Sequence, residues 1–176
     1  MLGDTESVRL ALEHGMKFQG ASGQFLVLRP STALNETPIF LTMMCRFAAF
    51  TSDDSWLRKH WTVLQKGIRW IRHMSMHTYD DESVPYAGLM PPGFVDGGIA
   101  HKTADYGTVW WVLIALEHAA DAAKRLGFAK DAQQWRRYHE DFQAPLRRAI
   151  ARDLKKDERG ILYLPITIGD TTRGIP

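Results

Sequence analysis

The sequence predicts an all-α fold arranged as part of an α/α toroid, and three observations carry that expectation. From Val109 to Leu116 every residue is apolar, which marks a helix buried on all sides and not one lying on a surface. Two other segments carry a single apolar stripe: Leu57, Trp61, Leu64, Ile68 and Ile71, and later Trp135, Tyr138, Phe142, Leu146 and Ile150. Spacings of three and four put each set on one helix face. The connections also alternate in length. Residues 51–54 and 127–129 are tight, whereas 18–35, 78–103 and 154–176 are long. In an antiparallel series this gathers every long connection at the N-terminal end of a buried helix, the arrangement of inner and outer helices in a toroid. Long loops grouped at one end of a rigid scaffold are where function usually resides.

The elements follow in order. Asp4 to Phe18 reads as a helix capped by Asp4 or Thr5, with Val8, Leu12 and Met16 as its stripe and Gly15 weakening its end. Residues 20–23 form a turn and 24–28 a short extended piece, ended by Arg29-Pro30-Ser31. Asn35 or Thr37 caps the next helix, Glu36 suits its positive end, and Pro38 is tolerated only in a first turn. Ile39 to Phe50 then reads as mostly buried. An amphipathic helix near 54–77 follows, then a long irregular segment to Thr103. The apolar helix spans about Ala104 to Leu126, with Gly127 as its C-terminal stop. The last helix runs from about Ala129 to Asp153, where Pro145 has no N–H for the carbonyl of Asp141 and predicts a kink. Residues 160–168 form a turn and an extended segment.

Composition sets the bounds. A chain of 176 residues with 45% hydrophobic residues suits a single domain, 1–176. A net charge of +2, spread along helices, argues against nucleic acid as a partner, and no apolar run approaches the ~20 residues that cross a bilayer. Cys45 is the single cysteine, so no internal disulfide forms. Residues 1–20 lack the apolar segment of a signal peptide, and the compartment stays open. No cofactor is implied. His60, His73 and His77 lie on one helix, and the i,i+4 pair has a metal-binding spacing, but no third ligand is evident and no metal site is expected.

The run Asn35-Glu36-Thr37-Pro38, a helix, a Ser-Asp-Asp turn and then Trp56-Leu57-Arg58-Lys59-His60-Trp61, with Trp70 beyond, resembles the six-hairpin glycosidases. Gly88-Leu89-Met90-Pro91-Pro92-Gly93, then Asp96 and the helix opening Asp105-Tyr106, are similar to the loop and next inner helix of these (α/α)6-barrel enzymes. They include bacterial glucoamylases and the glucosidase domain of debranching enzymes. The likeness covers most of residues 30–163. It implies an internal fragment of about two and a half helical hairpins, an oligo- or polysaccharide substrate, and self-association through the open edges of the part-ring. The chain departs from the family in having Phe94-Val95 before the acid where a Trp often stands. The family's second catalytic carboxylate comes from a later hairpin.

Hydrolysis of a glycosidic bond needs an acid to protonate the leaving oxygen and a second carboxylate to attack or to activate water. Asp96 lies on the right loop for the acid, although Asp-Gly-Gly is also an ordinary turn. Glu36 and Asn35 either bind sugar hydroxyls or cap a helix, and Asp105 has the same two roles open. His101 and Lys102 bracket an anionic sugar or simply lie in solvent. Tyr106 and Trp110, four residues apart, stack on a sugar ring or fill the core. The three carboxylates Asp96, Glu36 and Asp105 are expected on one concave face. A sugar epimerase or polysaccharide lyase on the same scaffold would favour His and Tyr over paired carboxylates. A non-catalytic α-solenoid binding scaffold is the remaining alternative, and the unequal loops argue against it.

Overall fold

The computed structural model describes residues 4–26, 33–94 and 102–170. Its helices are α1 (Thr5–Met16), α2 (Glu36–Thr51), α3 (Asp54–Lys59), α4 (Trp61–Met76), α5 (Tyr106–Arg125) and α6 (Ala129–Asp153). Strand is confined, among the described residues, to the antiparallel pair β1 (Lys155–Lys156) and β2 (Leu162–Tyr163), together with isolated bridges. The fold is therefore all-α, as the apolar periodicities predict. The helix expected over 54–77 is broken into α3 and α4 at His60, whose N–H bonds back to Trp56 and Leu57 and closes the short helix.

α5 is the centre of the packing, with α6 along one flank and α2 along another. Their directions follow from which ends meet. Asp121 of α5 pairs with Arg136 near the start of α6, while Tyr106 at the other end of α5 bonds Asp153 at the end of α6. These two helices are antiparallel. α2 and α5, in contrast, run parallel. Beyond the C-terminus of α2, Asp54 pairs with Arg125 at the end of α5, and Arg58 donates to the carbonyl of Leu126 at 2.6 Å. At the opposite end, Ala33 bridges Phe94 and Gly93 bridges Thr103, just ahead of α2 and α5 respectively. α4 returns along α2, with Gly67 set against the side chain of Leu41.

The expected burial of α2 and α5 holds on two sides and fails on a third. α2 buries Leu41, Met44, Cys45 and Ala48, yet Met43 is 49% and Phe50 78% exposed. Within the all-apolar run of α5, Val109, Val112 and Ala115 are fully buried while Trp110 and Trp111 are 44% and 36% exposed. The reading of α5 as buried all round is thus corrected: no described element covers this stripe. α1 also departs from expectation. Leu12 is buried and Met16 packs against the core as expected, whereas Val8 faces solvent. Gly15, expected only to weaken α1, instead admits the ring of Phe40, which lies where a Cβ would stand.

Two helix connections depend on glycine for different reasons. Gly127 ends α5 at φ +77° with open space around it, whereas Gly23, at φ +99°, lies against the backbone carbonyl of Lys66 in α4. Alanine at either site meets an unfavourable backbone conformation, worth about 1–2 kcal/mol. At Gly23 it also collides with backbone that cannot rotate away. In urea unfolding, Gly127→Ala should lose about 1–2 kcal/mol and Gly23→Ala distinctly more; equal losses would contradict the packing of residues 19–26 on α4.

Candidate site at the N-terminal ends of α2 and α5

Backbone pairing assembles this end of the molecule. Ala33 pairs with Phe94 in parallel, Gly93 with Thr103 and Asp105 with Thr167 in antiparallel fashion. Tyr106 N–H donates to Ile166 at 3.0 Å, and Ile168 N–H donates to Ala104 at 2.8 Å. The segments entering α2 and α5, the end of the 78–94 connection and the 164–170 segment are thereby stitched side by side. Each of the long connections anticipated from sequence contributes a described portion to this end. Within the 78–94 connection the Leu89–Met90 pair is buried in the core, and Thr78 holds the connection closed by donating to the carbonyl of Leu89 at 2.6 Å.

The candidate residues fare differently. Asp96 and His101 lie outside the described residues. Lys102 is exposed at the edge of the bridged segments. Asn35 occupies the N-cap of α2 but makes no side-chain cap bond, and Glu36 in the first turn is half-buried. Thr37, the other cap candidate, is fully buried and accepts from the Phe25 N–H at 2.9 Å, so it ties the 19–26 segment to α2.

Asp105 is the N-cap of α5. One carboxylate oxygen accepts from Thr108 N–H and the other from the Thr108 hydroxyl, each at 2.7 Å, and the residue is buried. Capping therefore prevails over ligand binding here, and Asp105 does not join a set of open carboxylates. Tyr106 is likewise corrected. It is 3% exposed, and its hydroxyl donates to Asp153 at 2.8 Å, so its ring is not offered for stacking. Trp110, one turn on, is the member of the expected aromatic pair that opens to solvent, with Trp111 beside it.

Sequence reasoning missed Asp153. Its carboxylate is buried and receives the Tyr106 hydroxyl, the Arg152 guanidinium at 2.7 and 2.9 Å, and the Gly169 N–H at 2.7 Å. The Arg152-Asp153 pair at the close of α6 was the available signal, because an acid at a helix C-terminus opposes the dipole and needs another reason to be there. Burial alone would raise the Asp153 pKa, but the Arg152, Gly169 and Tyr106 bonds outweigh it and hold the carboxyl below its ordinary value. On Tyr106, burial and the Asp153 bond act together and push the phenol far above its ordinary range. The cluster is a latch between α5, α6 and the 164–170 segment, with its charge committed internally.

No protein-family model matches the chain, and no curated protein matches it.

The latch has a defined pH signature. A depressed carboxylate pKa contributes stability that is fully present above the unfolded value and lost as pH falls through the folded one. Asp153→Asn should therefore destabilise the protein by about 1–3 kcal/mol near neutral pH, and the gap from the parent should narrow below about pH 4. Chemical denaturation across pH 3–8 measures this; a gap independent of pH would show that the charge of Asp153 is not what the cluster uses.

Proposed function

We propose that the chain forms about two and a half hairpins of an α/α toroid of the six-hairpin glycosidase type, α2 and α5 being inner helices and α4 and α6 outer ones. Its ligand is an oligo- or polysaccharide, taken up where α2 and α5 begin. The observation that carries this reading is the parallel, bridged pair of helix starts, from which α5 presents half-exposed Trp110 and Trp111. An indole face open to solvent beside polar groups suits the apolar face of a sugar ring. Asn35, Glu36 and Lys102 supply hydroxyl-binding groups at the same end. Asp96, on the connection between Phe94 and Lys102, is the general acid that protonates the leaving oxygen. Its partner carboxylate comes from a further hairpin, so this chain binds the substrate and does not cleave it by itself.

Tyr106 bears on the choice between hydrolysis and lyase chemistry. A lyase needs a tyrosine able to exchange a proton near neutrality, and a buried phenol bonded to a carboxylate resists losing its proton. Tyr106 itself is therefore not such a group. The exposed apolar side chains also support association between open edges, Phe50 on α2 and Val8 and Leu10 on α1 among them.

Binding is tested on this chain by tryptophan fluorescence with a panel of neutral and uronic oligosaccharides. Trp110→Ala should weaken binding about tenfold, ~1.4 kcal/mol, with Trp110→Phe retaining most of it. Saccharides that leave the emission unchanged, or bind Trp110→Ala equally well, would remove the carbohydrate reading. Cleavage is tested in a polypeptide that includes further hairpins. There Asp96→Asn should suppress hydrolysis of an unactivated glycoside far more than of one whose leaving group needs no proton. Wild-type rates on both substrates would exclude Asp96 as the acid.

A further inference from the structure

At the end of α4, His73 and His77 stand one helical turn apart, and both are exposed. Their Nε2 atoms lie 3.0 Å from one another, with ring planes at 79°. The spacing alone suggested no metal, since no third ligand accompanied it. Among the described residues no group of three or more His, Cys, Asp or Glu is placed to hold a metal. What the structure adds is that the same nitrogen of both rings, Nε2, is brought to within 3.0 Å of its counterpart at the exposed end of the helix.

We propose that His73 and His77 form a two-histidine chelate for a divalent transition-metal ion, with water completing the coordination. Metal–nitrogen bonds of ~2.0–2.1 Å on nitrogens 3.0 Å apart subtend roughly 95° at the metal. That is the angle between adjacent ligands of a square-planar or octahedral ion, and it is narrower than the tetrahedral angle. Copper(II) and nickel(II) take such geometry with imidazole, and copper(II) binds nitrogen sites more tightly than zinc(II). In the absence of metal one ring donates its Nε2 proton to the other ring. When the metal binds, that proton moves to Nδ1 of its own ring, so both Nε2 lone pairs face the ion and each imidazole stays neutral.

The surroundings favour a cation on balance. His73 lies in the last turn of α4 and His77 is its C-cap, so the free carbonyls at the negative end of the helix dipole are adjacent. Two positive groups stand nearby on the same helix, Arg69 and Arg72. Arg72 is paired with Asp141 of α6 at 3.4 Å and stacked on the Tyr138 ring at 4.9 Å, which turns its charge toward α6. Arg69 and His73 both line the groove of about 320 Å³ between α4 and α6, and His77 is exposed. A bound ion would staple the final turn of α4, directly before the Thr78 bond that closes the 78–94 connection.

Isothermal titration of the chain with copper(II) and with nickel(II) chloride, in a non-coordinating buffer, tests the chelate. One ion should bind per chain, and the copper complex should show two nitrogen ligands by electron paramagnetic resonance. His73→Gln and His77→Gln, both at exposed positions, should each weaken the affinity about 10²-fold, the usual gain from joining two ligands. Saturating metal should raise the melting temperature of the parent and not of either variant. His139→Gln, elsewhere on the surface, should bind as the parent does. The proposal is overturned if either His73→Gln or His77→Gln binds copper(II) like the parent, or if the copper spectrum shows one nitrogen.

Discussion

A buried carboxylate cannot be left with empty lone pairs, and Asp153 meets that requirement by drawing in three separate parts of the chain. Tyr106 comes from the first residue of α5, Arg152 from the end of α6, and the Gly169 N–H from the segment beyond β2. The position of each is then fixed relative to the others. With the end of α6 held at the start of α5, the antiparallel pair acquires a definite register, and the 164–170 segment is set down where it pairs with Ala104 and Tyr106. The Asp105–Thr167 bridge belongs to that pairing.

Helix identity was legible because it depends on periodicity, which a single sequence displays. α6 matches its expected span at Ala129–Asp153, and α2 and α5 differ from expectation by one or two residues. The break at His60 was not legible, since the apolar spacing continues unbroken through α3 and α4 and the interruption lies in the backbone alone. Burial was misread on α5 for a different reason. Apolarity reports what a helix can bury, whereas exposure depends on how many neighbours arrive, and Trp110 and Trp111 face a side that no described element occupies. At the candidate site, the cap role of Asp105 was one of two local readings of an acid before a helix. The destination of Tyr106 was hidden, because its partner is 47 residues away in sequence.

α4 and α6 meet through side chains and not through close backbone packing. Trp61 of α4 stacks on Phe128 and Trp135 with centroids 4.3 and 5.2 Å away, while its indole N–H and the Gln65 amide both donate to Asp131. Further along, Arg72 reaches Asp141. These long side chains span the gap and leave a groove between the helices. Contacts elsewhere are tighter where small residues allow it: Gly67 against Leu41 brings α4 onto α2, and the alanines 115, 119, 122 and 123 of α5 are all buried.

The two ends of the α2–α5 pair are built from different materials. At the C-terminal end, side chains specify the contact, with Arg125 on Asp54 and Arg58 on a helix carbonyl. At the N-terminal end the contact is mostly peptide on peptide, through Ala33–Phe94, Gly93–Thr103 and Asp105–Thr167. Peptide groups are the same whatever side chain they carry, apart from proline. One end therefore constrains its amino acids tightly, while the other keeps its shape as its outward-facing residues change. A scaffold divided in this way can acquire new surface chemistry by substitution at one end without disturbing the register that the other end maintains.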